Sequence, residues 1–197
     1  MRRFVLMSAL GTSDETKDLV PYFHAKWEME RAVVESGLEH VIFRPSFVFG
    51  PDGGVLPTFL RLARLAPLTP VIGPGTQRLQ PVWVEDVAAY FAAAVDKPEA
   101  ANRTFELGGP DAVTWNEFWA RVKRVLGVRR PSVHVPFGLM RVQASVLERL
   151  PNPPLTRDQL TMLAAGDNVA SNAEAVETFG LPLVPLDEQI RRARDGG

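Results

Sequence analysis

A tyrosine and a lysine stand four residues apart, Tyr22 and Lys26, in a segment whose apolar residues roughly keep helical spacing. Side chains at positions i and i+4 share one face of a helix, so these two meet there. An ammonium beside a phenol favours the phenolate, which predicts a Tyr22 pKa below the usual value of about 10. Tyr22 is therefore a candidate proton donor or acceptor. The Tyr-x-x-x-Lys pattern is short and common by chance, so neighbouring residues must support a functional role for it.

Ser8 supports a functional role for this pair. It stands near the end of Phe4–Ala9, an apolar run without alternation that predicts a strand covered on both faces of a parallel sheet. A hydroxyl at the end of this strand can orient a carbonyl or alcohol group beside Tyr22. The sequence therefore favours an acid–base site at the point where the first strand ends.

A second candidate segment, Arg44 to Pro51, directly follows the next predicted strand. Ligands bind at the carboxyl ends of strands in open α/β sheets, which favours a binding role. A plain strand-to-turn link, with Pro45 and Gly50 serving the backbone, explains the same residues equally well. A third segment, Gln80 to Ala88, joins a predicted strand to a predicted helix. Within it, Asp86 is placed to cap the helix.

The elements around these segments alternate between strand and helix up to about residue 110. Pro21 opens a helix that ends near Ser36, and a strand follows it, which makes a right-handed βαβ unit. Strands are predicted at 79–84 and 104–107, and helices at 56–65, 86–96, 114–126, 137–150 and 187–194, with capping boxes at Thr114, Thr156 and Ser171. This order predicts an α/β fold in which an α/β part, residues 1–110, precedes a mainly helical lobe, residues 111–197.

The amino-acid composition excludes several classes of protein and kinds of site. The 197 residues are 46% hydrophobic and 23% charged with a net charge of -1, which disfavours disorder and nucleic-acid binding. The absence of cysteine excludes disulfides, thiolate zinc sites and iron–sulfur clusters. No His/Asp/Glu cluster has metal-ligand spacing, so no metal is predicted. A chain without cysteine suits a reducing cytoplasm, where we expect this protein. No stretch is long enough to span a bilayer, so we expect at most peripheral membrane association.

Five motifs in this order resemble the short-chain dehydrogenase/reductase superfamily, in its extended or atypical branch. They are Ser8 at a strand end, Tyr22-Phe-His-Ala-Lys26-Trp-Glu-Met-Glu30, Phe43-Arg-Pro-Ser-Phe-Val-Phe-Gly-Pro51, Pro81-Val-Trp-Val-Glu-Asp-Val-Ala88 and Phe105-Glu-Leu-Gly-Gly-Pro110. With Leu155–Leu160 and Asp167-Asn-Val169, the chain looks like the subgroup named for the NAD(P)H-binding accessory subunit of respiratory complex I. Bacterial members of that subgroup are often labelled sugar-nucleotide epimerases.

The resemblance implies a C-terminal portion of a Rossmann-like, doubly wound parallel sheet with a small helical lobe over the substrate. It implies Tyr22 as acid/base, Lys26 on the nicotinamide ribose and Ser8 as the substrate-orienting hydroxyl. The nicotinamide pocket of an NAD or NADP cofactor would be lined by Pro45, Ser46, Phe47 and Val48. The substrate would be a small molecule such as a sugar nucleotide.

The sequence departs from the family in two respects. The Gly-rich strand–turn–helix that binds the pyrophosphate is missing, so the chain resembles the C-terminal half to two-thirds of a longer protein. Trp83 stands where the subgroup is expected to carry histidine. The lining of the site on the substrate side is therefore left undetermined. The first strand would then present an apolar edge, so we expect self-association or pairing with a partner chain.

Two functions remain open at this point. One is a dehydrogenase or epimerase that uses Ser8, Tyr22 and Lys26 for hydride-transfer chemistry and is inactive without its missing part. The other is a non-catalytic NAD(P)H-binding assembly or accessory protein.

Overall fold

The computed structural model describes residues 3–148 and 155–196. The strands in these ranges are β1 (Arg3–Met7), β2 (Glu39–Pro45), β3 (Val48–Phe49), β4 (Thr69–Ile72), β5 (Arg78–Leu79), β6 (Val82–Trp83), β7 (Arg103–Leu107), β8 (Val113–Thr114) and β9 (Ser132–Val135). The helices are α1 (Pro21–Glu35), α2 (Leu56–Leu65), α3 (Val84–Ala94), α4 (Trp115–Leu126), α5 (Phe137–Leu147), α6 (Arg157–Ala164), α7 (Ala173–Phe179) and α8 (Leu186–Asp195). Residues 149 and 150 of the predicted helix 137–150 lie outside the described residues.

The main sheet has three parallel strands, with β2 between β1 and β7. The register sets Val5 opposite Val41 and Phe43 opposite Phe105. Helix α1 connects β1 to β2, which confirms the predicted βαβ unit. Because the strands are parallel, all three carboxyl ends lie at one edge of the sheet, where side chains from different segments can converge.

Three smaller strand pairs surround this sheet: β3 with β6 and β4 with β9 in parallel, and β5 with β8 antiparallel. The predicted single strand over 79–84 is wrong. Pro81 has no amide hydrogen for a ladder, and the chain forms β5 before Gln80-Pro81 and β6 after it, with α3 starting at Val84. Strands β4 and β9 were not predicted.

Two apolar clusters form the core. One lies between the sheet and helices α3 and α7, where the rings of Phe43, Phe105 and Phe179 lie 5.2–5.8 Å apart. The other joins α2, α4 and α8 and includes edge-to-face contacts of Phe59 with Trp115 and Phe118. Both clusters contain residues from before and after residue 110.

The predicted helix starts have mixed outcomes. Capping boxes at Thr114 and Thr156 are confirmed. The box at Ser171 is wrong, because α7 starts at Ala173 and the Asn172 side chain bonds Gly108 instead. Asp86 lies inside α3, where its carboxylate accepts a hydrogen bond from the Val184 amide at 2.7 Å and burial raises its pKa. It therefore anchors the C-terminal segment rather than capping the helix.

Helix α1 is held to β2 by an ion pair between Glu30 and Arg44. The guanidinium donates two hydrogen bonds, at 2.9 and 2.5 Å, to a carboxylate whose residue is only 7% exposed. A buried carboxylate without this partner would be costly, so the pair fixes how α1 sits on the sheet. Tyr22 and Lys26 belong to the same helix. The Glu30–Arg44 ion pair therefore also fixes the position of Tyr22 and Lys26 relative to the strand ends.

We expect Glu30→Gln to lower the free energy of unfolding by about 2 kcal/mol, because the partly exposed Arg44 keeps one weak partner instead of a bidentate one. For a chain of this length, that lowers Tm by roughly 4–8 °C in a calorimetric scan. The control is Glu35→Gln on the same helix, which breaks an exposed 2.6 Å pair with Arg31 and costs under about 0.5 kcal/mol. Equal losses in the two variants would contradict the anchoring role of Glu30.

No helix in the two described ranges is long and apolar enough to cross a membrane.

Candidate functional site

The site lies at the carboxyl ends of β1 and β2, and Ser8 is at its centre. Beyond the last residue of β1, the Ser8 amide still donates to the Phe43 carbonyl at 2.7 Å, and the Leu10 amide donates to Pro45 at 2.9 Å. The Ser8 side chain is 1% exposed, and its hydroxyl has no hydrogen-bond partner among the described residues. A buried hydroxyl left unpaired costs stability, so the Ser8 hydroxyl is a candidate hydrogen-bond donor to a bound group.

Lys26 joins α1 to the end of β1. Its ammonium donates a hydrogen bond to the Met7 carbonyl at 2.9 Å, one residue before Ser8. The same ammonium lies 5.8 Å from the centroid of the Tyr22 ring, which is 45% exposed. The structure therefore brings Tyr22 and Lys26 together on one helix face, with Lys26 reaching the backbone beside Ser8.

The expectation that Lys26 lowers the Tyr22 pKa is wrong. Partial burial raises the pKa of the Tyr22 phenol above its ordinary value of 10.0. The ammonium faces the ring and bonds Met7 instead of the phenol oxygen, so it does little for a phenolate. At neutral pH the Tyr22 side chain is consequently a neutral phenol with a proton to give.

The segment 45–48 runs beside Ser8 at the end of β2. The Pro45 carbonyl accepts from Leu10, the Ser46 amide donates to Leu107 at 2.9 Å, and the Phe47 carbonyl accepts from Val82 at 2.9 Å. Its backbone is thus fixed from both sides at the sheet edge. Phe47 also packs edge to face on Trp115, with ring centroids 5.9 Å apart.

Thr12 is a polar residue that the sequence reasoning missed. Like Ser8, it is 1% exposed with a hydroxyl that finds no partner in the described part of the chain. It lies in the turn after β1, where its amide donates to the Ala9 carbonyl at 3.2 Å. The only signal in the sequence was its place in the polar turn directly after the first strand.

Trp83 faces the core. It is 1% exposed, lies opposite Phe49 in the β3–β6 pair and belongs to the cluster shared by α2, α4 and α8. Its indole N–H has no hydrogen-bond partner within the described ranges.

Residues 168–172 are a second set that sequence reasoning did not place at the site. The Asn168 side-chain oxygen accepts a hydrogen bond from the Ser46 hydroxyl. The Asn172 side chain forms hydrogen bonds with the backbone of Gly108 and Gly109. The carboxyl ends of β2 and β7 are thereby tied to a segment more than a hundred residues away from β2. The Asp167-Asn-Val169 motif was the available signal, but no spacing rule connects it to Ser46.

The parallel β1–β2–β7 sheet with its βαβ unit is a Rossmann-like α/β arrangement, and it places Lys26 against the backbone beside Ser8 at the end of β1. Residues 8–165 match the family described as RmlD substrate binding domain. The chain therefore belongs to this family, and the resemblance found in the sequence is confirmed.

Several known proteins are similar to this chain. The mitochondrial NADH dehydrogenase (ubiquinone) 1 alpha subcomplex subunit 9 of Arabidopsis thaliana is 30% identical over 193 residues, covering 93% of this chain and 47% of the relative. The 3beta-hydroxysteroid-dehydrogenase/decarboxylase isoform 2 of the same plant is 26% identical, covering 88% and 35%. A UDP-glucuronic acid 4-epimerase from Bacillus cereus, solved with UDP-glucuronic acid and NAD, shares the fold with a TM-score of 0.70 at 15% identity, covering 98% and 60%. The chain thus spans less than half the length of the two plant relatives and 60% of the epimerase chain.

Proposed function

We propose that this protein binds a nicotinamide dinucleotide at the carboxyl ends of β1 and β2 and performs dehydrogenase or epimerase chemistry there. One observation carries the proposal: the buried Ser8 hydroxyl, which has no hydrogen-bond partner among the described residues, directly follows Met7, whose carbonyl accepts from Lys26 of the Tyr22–Lys26 pair. The family membership and the dehydrogenase relative support it.

The residues present fit the nicotinamide end of such a cofactor. Lys26 spends one of its three N–H donors on Met7 and keeps two for ribose hydroxyls. The backbone of 45–48 offers an ordered wall at the same sheet edge. When bound, the nicotinamide ring supplies or accepts the hydride. Nothing among the described residues distinguishes NAD from NADP.

Tyr22 would act as the general acid in the reductive direction. Its raised pKa keeps the phenol protonated at neutral pH, so it donates its proton to a substrate carbonyl oxygen as that oxygen gains negative charge. Ser8 would donate a second hydrogen bond to the same oxygen and orient it. We propose that residues 111–197 cover the substrate, for which a sugar nucleotide is one candidate class.

A second candidate function is a non-catalytic accessory protein that holds NAD(P)H within a larger assembly. The similarity to the complex I subunit favours it. Under this proposal the cofactor is structural, and Tyr22 contributes packing and hydrogen bonding without proton transfer.

Both proposals require cofactor binding, which a fluorescence titration of NADPH into the protein tests directly. We expect saturable enhancement of nicotinamide emission, and competition by NADP should reverse it. A flat titration against both NADH and NADPH would reject a cofactor site in the chain as it stands.

We further propose that β1 pairs with another strand. Among the described strands, β1 has a neighbour only on the β2 side, and Met7 at its end is 45% exposed. An apolar edge of this kind invites pairing with a second copy or a partner chain. We expect light scattering to give a mass above that of one 21.8 kDa chain; a single monomer peak for the isolated chain would rule out self-association.

A further inference from the structure

The backbone around Asn168 is fixed independently of its side chain. Its amide donates to the Arg78 carbonyl at 2.8 Å, and its carbonyl accepts from the Gln80 amide at 3.0 Å. These bonds extend β5, so Asn168 sits beside that strand as an added bridge. The Asn168 side chain is therefore presented from a rigid position toward the end of β2.

Ser46 is the residue that this side chain meets. The Ser46 hydroxyl donates to the Asn168 side-chain oxygen and lies 3.3 Å from the Asn168 carbonyl. Ser46 is only 7% exposed, and its own amide is bonded to Leu107 of β7. A buried hydroxyl held in this way has its donor committed within the protein.

Two neighbouring side-chain amides, those of Gln80 and Asn172, form hydrogen bonds with groups other than Ser46. Gln80 donates to the Gly109 carbonyl at 2.6 Å and accepts from the Ala170 amide at 2.9 Å. Asn172 accepts from the Gly108 amide at 2.6 Å. These side chains hold the end of β7 and the segment 170–172, whereas the Asn168 side chain holds the 45–48 segment.

We infer that Asn168 is a positioning residue for the nicotinamide site, acting through Ser46 to fix the 45–48 segment beside Ser8. This inference rests on the proposed function. It also revises the role expected for Ser46, whose hydroxyl holds Asn168. Cofactor contact from this segment then comes from its backbone and from Phe47 and Val48.

Amide hydrogen exchange by NMR tests the coupling without any cofactor. Asn168→Ala should speed exchange of the residue 46 and Val82 amides by about tenfold, because one hydrogen bond holding the segment is lost. Ser46→Ala should do the same, and the double variant should be no faster than either single one. Asn168→Asp keeps the accepting oxygen and should restore slow exchange. Asn172→Ala, the control, should speed the Gly108 amide and leave residue 46 unchanged.

The same variants titrated with NADPH separate positioning from mere stability. Asn168→Ala should weaken NADPH binding at least about fivefold, with recovery in Asn168→Asp and no change in Asn116→Ala, which removes an exposed hydrogen bond to the Pro74 carbonyl. Unchanged exchange at residue 46, or an additive double variant, would overturn the inference. Faster exchange with unchanged NADPH affinity would also overturn it, leaving only a structural contact. If the wild-type protein binds neither NADH nor NADPH, the proposed function fails, whereas the exchange data still decide whether Asn168 holds Ser46.

Discussion

Replacing Tyr22 by phenylalanine is expected to slow cofactor-dependent turnover by about 10²–10⁴-fold, the usual contribution of a positioned general acid. The change removes one oxygen from a half-exposed ring, so the fold and the NADPH affinity should be almost unaffected. Because the chain alone is expected to be inactive, both proteins are assayed after fusion to a Gly-rich strand–turn–helix that binds pyrophosphate. Steady-state kinetics of the fusions with a carbonyl substrate found by screening, and an NADPH titration of the same samples, measure the two effects separately.

The chain supplies its own control, because Tyr90 is the only other tyrosine. Its hydroxyl donates to the Leu181 carbonyl at 2.9 Å within the α3–α7 core. Tyr90→Phe should cost about 1 kcal/mol of stability and leave turnover unchanged. Turnover that survives Tyr22→Phe would reject the acid role. A wild-type protein that binds NADPH but transfers no hydride to any carbonyl substrate would favour the accessory function.

The pH profile provides an independent check on Tyr22. A proton donor is active while protonated, so reductive turnover should stay level through neutral pH and fall as the pH rises through the raised Tyr22 pKa, above 10. A decline centred well below 10 would show that Lys26 lowers the pKa in the complex after all.

Gly109→Ala is expected to destabilise the folded protein strongly. A Cβ at this position would lie 2.1 Å from the Pro81 carbonyl oxygen and 3.2 Å from the Gln189 amide nitrogen. Both neighbours are fixed, since Gln189 is itself buried and donates to Pro81 at 3.1 Å. Relieving the overlap must shift the backbone where β7 meets the α8 segment, which costs at least about 3 kcal/mol.

Urea unfolding of purified protein measures this loss, and Gly53→Ala is the matched control because a Cβ there meets nothing within 4 Å. The control should differ from wild type by less than about 0.5 kcal/mol. If Gly109→Ala unfolds at the same urea concentration as the control, the close packing of Gly109 against Pro81 is not present in solution.

The elements with strong local signals were predictable from the sequence. Helix α2 was predicted with its observed bounds, and two capping boxes fall at Thr114 and Thr156 as expected. Short strands were harder, because β4 and β9 are stabilised by pairing with each other rather than by their own residues. The division near residue 110 stays a prediction.

The site was predictable only in part. Ser8, Tyr22 and Lys26 could be found because strand ends and helical spacing place them together, although their roles stay predictions. The direction of the Tyr22 pKa could not be read from spacing, since it depends on burial and on where the Lys26 ammonium points. Asn168 was beyond reach because its contact with Ser46 joins residues 122 positions apart.

The most direct test of a nicotinamide site at the ends of β1 and β2 is an NMR titration of ¹⁵N-labelled protein with NADPH. We expect the largest chemical-shift changes at the backbone amides of four residues at the sheet edge: Ser8, Tyr22, Ser46 and Val48. Amides of α2 and α8, which pack together with α4 in the second apolar cluster, should hardly move. Shift changes confined to those helices, or none at saturating NADPH and at saturating NADH, would contradict a nicotinamide site at the ends of β1 and β2.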